Sequence, residues 1–202
     1  MTAKAMKKIK DRVNANDVVI TPPKIVDIMI KELSPTDSVL DPCRFKGAFY
    51  DKINNENKDW CEIQDGKDFY EHNEKCSTII GNFPYSQLSK WLKKCYTITD
   101  KIITIIGMYS LTPARLRDAE EAGFHLTKLI LTQVPTWFQR SYIVVMERRN
   151  TRPSHIEFES LYLGNKCLFC DRSVGGSIGT KNRCRRKMND VCCPNYIEHS
   201  SN

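Results

Sequence analysis

Apolar residues recur along this chain with two different periods, and each change of period marks a new element. Ile25, Val26, Met29, Ile30 and Leu33 share one helical face just after Thr21-Pro22-Pro23. That order predicts a helix with Thr21 as N-cap and Pro22 as its first residue. Ser38-Val39-Leu40 reads as a short strand that runs into Asp41-Pro42-Cys43-Arg44-Phe45-Lys46-Gly47-Ala48-Phe49, with Tyr50 to Ile53 continuing as a helix. After the polar turn Asn54 to Lys58, Trp60-Cys61-Glu62-Ile63 is the next strand, and Gln64 to Phe69 follows with no helix between. Cys76 to Ile80 is a β-branched run of strand length, whereas Leu88, Trp91, Leu92 and Cys95 return to helical spacing. Lys101 to Ile106 is a further buried strand, Thr112-Pro113 opens a helix that ends at Gly123, and Phe124–Thr132 and Tyr142–Met146 are two more strands. Strands alternating with helices predict an α/β, doubly wound sheet closed by an antiparallel hairpin.

The turn Gly81-Asn82-Phe83-Pro84-Tyr85 falls at the C-terminal end of a predicted strand, which is where open α/β sheets bind ligands. As a bare turn, Asn is a cap and Pro a first helical residue. As a motif, Asn-Phe-Pro-Tyr resembles the Asn-Pro-Pro-Tyr signature of methyltransferases that modify the adenine amino group, phage- and virus-type DNA enzymes among them. Gly-Asn-Phe-Pro-Tyr is also similar to the Gly-Asn-(Leu/Ile)-Pro-Tyr of ribosomal RNA adenine dimethyltransferases. The resemblance spans about residues 18 to 148. It implies a Rossmann-like methyltransferase sheet, S-adenosylmethionine as cofactor and four site residues. The Asn82 amide oxygen and the Phe83 carbonyl would accept the two amino hydrogens of adenine, Pro84 would stiffen the loop, and Tyr85 would offer a ring face to the extruded base.

The same resemblance assigns the cofactor side. Thr21-Pro22 is similar to the segment that holds the methionine end. Asp41, Pro42, Gly47 and Phe49 match an Asp-Pro-x-x-Gly-x-Gly-x-Phe loop in which the first Gly is replaced by Phe45, whose side chain is expected in space the cofactor needs. Glu62 matches the ribose-binding acid, and Asp68-Phe69 the pair beside the cofactor's adenine.

A formal charge of +7 and nine cysteines extend this picture. The charge suits a polyanionic partner, with DNA ahead of RNA because of Asp-Pro in the cofactor loop. Lys4, Lys7, Lys8, Lys10 and Arg12 make residues 1–17 a basic arm ahead of a methyltransferase-like domain at 18–150. Pro135 to Arg140, with Trp137 and Phe138, is either a substrate lip or a core plug. Five cysteines stand at 167, 170, 184, 192 and 193, beyond a linker around Arg148 to Pro153. Cys-x-x-Cys in this context predicts a small cysteine-rich zinc module at 163–202, structural because a closed thiolate shell leaves no open position. Its expected ligands are Cys167, Cys170, Cys184 and Cys193, with Cys192 or His199 as replacements for the fourth, or else the pair is a redox dithiol. No apolar run is long enough to span a bilayer and no signal-type apolar region follows Met1, so no membrane partner and an intracellular location are expected. Nothing in the pattern specifies a number of subunits. Three readings follow: DNA adenine methyltransferase, RNA adenine methyltransferase, and a catalytically silent nucleic-acid-binding relative in which Phe45 excludes the cofactor.

Overall fold

The computed structural model describes residues 19–133, 137, 140–153 and 155–160. The expected basic arm and zinc module lie outside them. Elements follow in the order α1 (Pro23–Ile30), β1 (Val39–Asp41), β2 (Lys58–Trp60), β3 (Thr78–Gly81), α2 (Leu88–Ile98), β4 (Lys101–Gly107), α3 (Pro113–Glu121), β5 (Phe124–Thr132), β6 (Ser141–Arg148) and β7 (Glu157–Ser160). They form a seven-stranded sheet in the order β2-β1-β3-β4-β6-β5-β7. The pairs β1–β2, β1–β3 and β3–β4 are parallel, and β6 runs antiparallel to both β4 and β5.

Period-2 alternation in the central strands builds a core on each face. Leu40, Ile79, Ile102, Ile106 and Val144 point to the side covered by Leu88, Trp91, Leu92 and Cys95 of α2 and Ala119 of α3. Their neighbours Val39, Ile80, Ile103, Ile105 and Ile143 meet Ile25, Val26 and Met29 of α1 on the other side. Near-continuous apolar runs such as Ile102 to Ile106 are what a sheet covered on both faces requires. Trp137 packs against the α1-side core, so the plug reading describes that residue.

Four local expectations shift. The helix α1 starts one residue later than predicted, because Pro22 takes the cap position with ψ 141° and Thr21 is drawn into the site described below. Tyr50–Lys52 makes only a 3-10 turn, which stops where the Lys58 ammonium donates to the carbonyls of Tyr50 and Ile53. The second strand ends at Trp60 instead of Ile63. The Glu62 side chain accepts from Gln64 N and caps a 3-10 turn over Ile63–Asp65. Finally, the sheet passes beyond residue 150: β7 lies parallel to the edge of β5 and is held by charge. Lys128 Nζ reaches Glu32 at 3.0 Å, Glu159 at 2.6 Å and Glu157 at 3.5 Å, so one half-buried cation ties the end of α1 to the last strand.

Candidate active site

From β1 the chain steps outward to β2 on one side, then returns to lay β3 on the other. The strand order therefore reverses between β1 and β3, and a crevice opens beyond their C-terminal ends. Two loops, 42–49 after β1 and 82–87 after β3, frame it, and Thr21 enters from the start of α1.

Local chemistry explains the shape of the second loop. Gly81 closes β3 where a Cβ would stand 3.3 Å from Pro42 Cδ and 3.4 Å from the Phe83 ring, so the two loops touch backbone to side chain there. The Phe83 ring is buried against Trp91, centroids 5.6 Å apart, and anchors the turn in the α2-side core. Asn82 Nδ2 donates to Thr21 Oγ1 at 3.2 Å, while the Asn82 backbone carbonyl accepts from the Cys43 thiol at 3.3 Å. Asn82 Oδ1 is buried with no hydrogen-bond partner, and so is the Tyr85 hydroxyl. Burial pushes the Tyr85 phenol up to about 12, which keeps it protonated at neutral pH. Two unpaired polar atoms within one short motif are costly unless a ligand completes them.

The first loop is organised by Asp41. Its carboxylate is fully buried and takes Cys43 N at 3.2 Å on one oxygen and Tyr50 N at 3.2 Å on the other. Desolvation lifts its pKa to about 7, with the two backbone donors pulling the other way and the Glu62 charge adding to the rise. Between these anchors the chain folds into a turn closed by Gly47 N donating to Arg44 O at 2.8 Å. Phe45, the second residue of that turn, has φ 46°, the left-handed region where type II′ turns favour Gly. Its N–H donates to Glu62 Oε2 at 2.8 Å, and its ring is about one-third exposed (37%). Gly47 follows at φ 80°, where a Cβ would collide with the Asp51 carboxylate at 2.3 Å.

Thr21, Pro22, Asp41, Pro42, Gly47 and Glu62 are thus gathered around one crevice with Asn82 to Tyr85. Asp41 shapes the loop from beneath with both oxygens occupied. Phe49 and Phe69 are buried, Phe49 in the α1-side core and Phe69 in the α2-side core, where it stacks on Trp91 at 4.7 Å. Asp68 is buried and accepts from Tyr70 N at 3.0 Å. Two contributors escaped the sequence reading. Cys43 braces the Asn82 carbonyl, and Arg44 stacks over the Trp60 ring at 4.7 Å and the Tyr50 ring at 5.2 Å, covering the edge strand β2. Cys43 was a variable position of the motif, and only its distance to Asn82 marks it. Cys167, Cys170, Cys184 and Cys193 fall outside the described residues; among those that are described, no three His, Cys, Asp or Glu side chains converge as a metal site. No described helix is long and apolar enough to cross a membrane.

No protein-family model and no curated protein matches the sequence. Solved structures do. A Listeria monocytogenes protein assigned to the class I S-adenosylmethionine-dependent methyltransferases superposes with TM-score 0.54 at 12% identity, covering 78% of this chain and 70% of its own. A Pyrococcus horikoshii protein assigned as an RNA methyltransferase gives 0.53 at 15%, covering 75% of this chain and 100% of its own. Trm5 of Methanocaldococcus jannaschii, solved with adenosine, gives 0.52 at 14%, over 67% of this chain and 52% of its own. The architecture is therefore a Rossmann-like methyltransferase fold.

Proposed function

We propose that this chain is an S-adenosylmethionine-dependent methyltransferase that modifies the exocyclic amino group of adenine in nucleic acid, DNA first. The observation that carries the reading is the buried, unpartnered Asn82 Oδ1 at the strand-order reversal of a methyltransferase fold. An amide whose nitrogen is committed to Thr21 and whose oxygen has no partner is a pre-aimed acceptor, and an amino hydrogen of adenine is the donor it suits.

The exocyclic nitrogen of adenine is a weak nucleophile because its lone pair is delocalised into the ring. Acceptors at both of its hydrogens favour the pyramidal nitrogen that can react, and Asn82 Oδ1 with the Phe83 carbonyl fill those roles. Tyr85 stacks on the base, and its neutral hydroxyl adds no charge to the site. Thr21 fixes the Asn82 rotamer. Glu62, buried two residues past β2, already engages two backbone N–H groups and keeps lone pairs for ribose hydroxyls, while the turn through Gly47 lets backbone approach. When bound, S-adenosylmethionine supplies a sulfonium-activated methyl group. No general base is required before transfer, because the nitrogen sheds its proton to water afterwards.

RNA is the second reading. Phe83 in place of the first Pro, and the resemblance of the fold to a protein assigned as an RNA methyltransferase, favour it. We further propose that residues 163–202 form a structural zinc module through Cys167, Cys170, Cys184 and Cys193, and that its Lys and Arg, with the basic arm at 1–17, contact phosphates. Calorimetry with S-adenosylmethionine, followed by radiolabelled methyl transfer to matched DNA and RNA, tests the whole. Binding plus label on N6 of adenine is expected. No binding, or label on another atom, refutes it.

A further inference from the structure

We propose that Tyr109 is a stacking platform for a nucleobase that flanks the methylated adenine, which makes the substrate a single strand, or a strand opened locally, when it enters the site. The inference rests on the function proposed above and adds a residue with no place in the Asn82 motif.

Tyr109 is 82% exposed, the most solvent-open large hydrophobic side chain among the described residues. It sits on the 3-10 turn Met108–Ser110 that follows β4, at the same end of the sheet as Asn82. The turn is pinned from three directions. Met108 N donates to Arg140 O at 3.0 Å, and Thr112 N donates to Ser110 O at 3.1 Å. The Arg115 guanidinium also donates to Ser110 O while its Nε holds Ser89 Oγ at 3.0 Å. A ring presented by a backbone this well anchored loses little freedom when it meets a ligand.

Strand lengths set the position of that ring. β3 stops at Gly81, which pairs with Thr104, whereas β4 runs three residues further to Gly107. At about 3.3 Å per residue the Tyr109 turn stands on the order of 10 Å beyond the level of Gly81. Stacked nucleotides follow one another at about 3.4 Å along a strand, so a ring at that height meets a base up to about three places from the one that reaches Asn82, and not that base itself. The residues beside it in the chain, Met108 and Ser110, are half-buried, so the ring stands out from its own turn. A ring this exposed on a rigid rim suits a π-face partner better than a protein interface, whose anchors cluster in desolvated pockets.

The test uses the full-length protein and a fluorescein-labelled single-stranded DNA containing one adenine, made with either ordinary or abasic nucleotides at about the three positions on each side of it. Tyr109→Ala should weaken binding to the ordinary oligonucleotide about 5- to 100-fold, the range that stacking by one aromatic supports, while Tyr109→Trp retains affinity. With abasic flanks, wild type and Tyr109→Ala should bind alike. Calorimetry with S-adenosylmethionine should be unchanged by either substitution. Equal affinity of wild type and Tyr109→Ala for the ordinary strand overturns the inference, as does a loss that persists on the abasic one or a wild-type protein that binds neither. Failure to bind S-adenosylmethionine would instead overturn the proposed function, and the oligonucleotide result would still report on Tyr109.

Discussion

Replacing Asn82 by Ala separates catalytic from structural roles, because the structure gives the two effects very different sizes. The substitution removes one side-chain hydrogen bond, Nδ2 to Thr21 Oγ1 at 3.2 Å, with a net worth of about 0.5–1.5 kcal/mol. It also removes a buried oxygen that has no partner, and relieving that desolvation returns about 1–3 kcal/mol. The buried Thr21 hydroxyl is left without that donor at a cost of similar size, so folding stability should change by no more than about 1 kcal/mol, readable as a nearly unchanged urea midpoint. Turnover should fall steeply. An acceptor aimed at charge that develops only during the reaction is worth about 3 kcal/mol, or roughly 100- to 300-fold in rate. The assay is radiolabelled methyl transfer to an adenine-containing oligonucleotide, with urea unfolding of the same samples. A variant within twofold of wild-type rate would falsify the catalytic assignment. One that unfolds several kcal/mol more easily would show that Asn82 Oδ1 has a structural partner and that its vacancy carries no functional meaning.

The other predictions follow from the first loop and the chain's end. Phe45→Gly should raise stability by up to about 1 kcal/mol, since the left-handed conformation costs about 1–2 kcal/mol for an L residue and the partly exposed ring contributes little packing. It should also tighten S-adenosylmethionine binding in calorimetry; weaker binding would mean the ring supports the loop. Asp41 has a folded pKa of about 7 against 3.8 for the ordinary group, raised chiefly by desolvation, so its favourable contribution is complete below about pH 4 and is lost as pH rises through 7. Unfolding measured from pH 4 to 8 should show this fall, up to about 4 kcal/mol, and Asp41→Asn should abolish it; an equal slope in the variant would refute the assignment. Lys128→Met should release β7 by removing contacts to Glu32, Glu157 and Glu159, read as faster amide exchange over Glu157–Ser160; unchanged exchange would show that backbone pairing alone holds the strand. A chain ending at Ser160 should keep S-adenosylmethionine binding, lose zinc in elemental analysis and show a flatter salt dependence of nucleic-acid binding, because fewer counterions are released; a zinc-free full-length protein contradicts the module.

Much of the architecture was legible because it is encoded between near neighbours. Ile102 to Ile106 and the spacing of Leu88, Trp91, Leu92 and Cys95 state strand and helix through side-chain periodicity alone. Gly81 to Tyr85 states a turn because Gly, Asn and Pro restrict the backbone locally. The parallel sheet and its antiparallel closing hairpin followed from the alternation of such elements. What the local pattern does not contain is who meets whom across the chain. Thr21 reads equally well as a helix cap, and only packing brings its hydroxyl to an amide 61 residues away. Phe45 reads as a substitution at a glycine position, and only the turn between Asp41 and Glu62 decides that its backbone goes left-handed. Phe49 and Phe69 match a cofactor motif by order, and only packing decides that burial of large apolar area places their rings in cores on opposite faces of the sheet. The seventh strand was hidden for the same reason. Glu157, Phe158 and Glu159 have no periodicity long enough to announce a strand, and their place is set by a lysine and a glutamate from elements far back in the chain. Propensity and spacing determine which elements form; the partners that finish the site are chosen by burial and hydrogen bonding, which exist only once the chain has closed on itself.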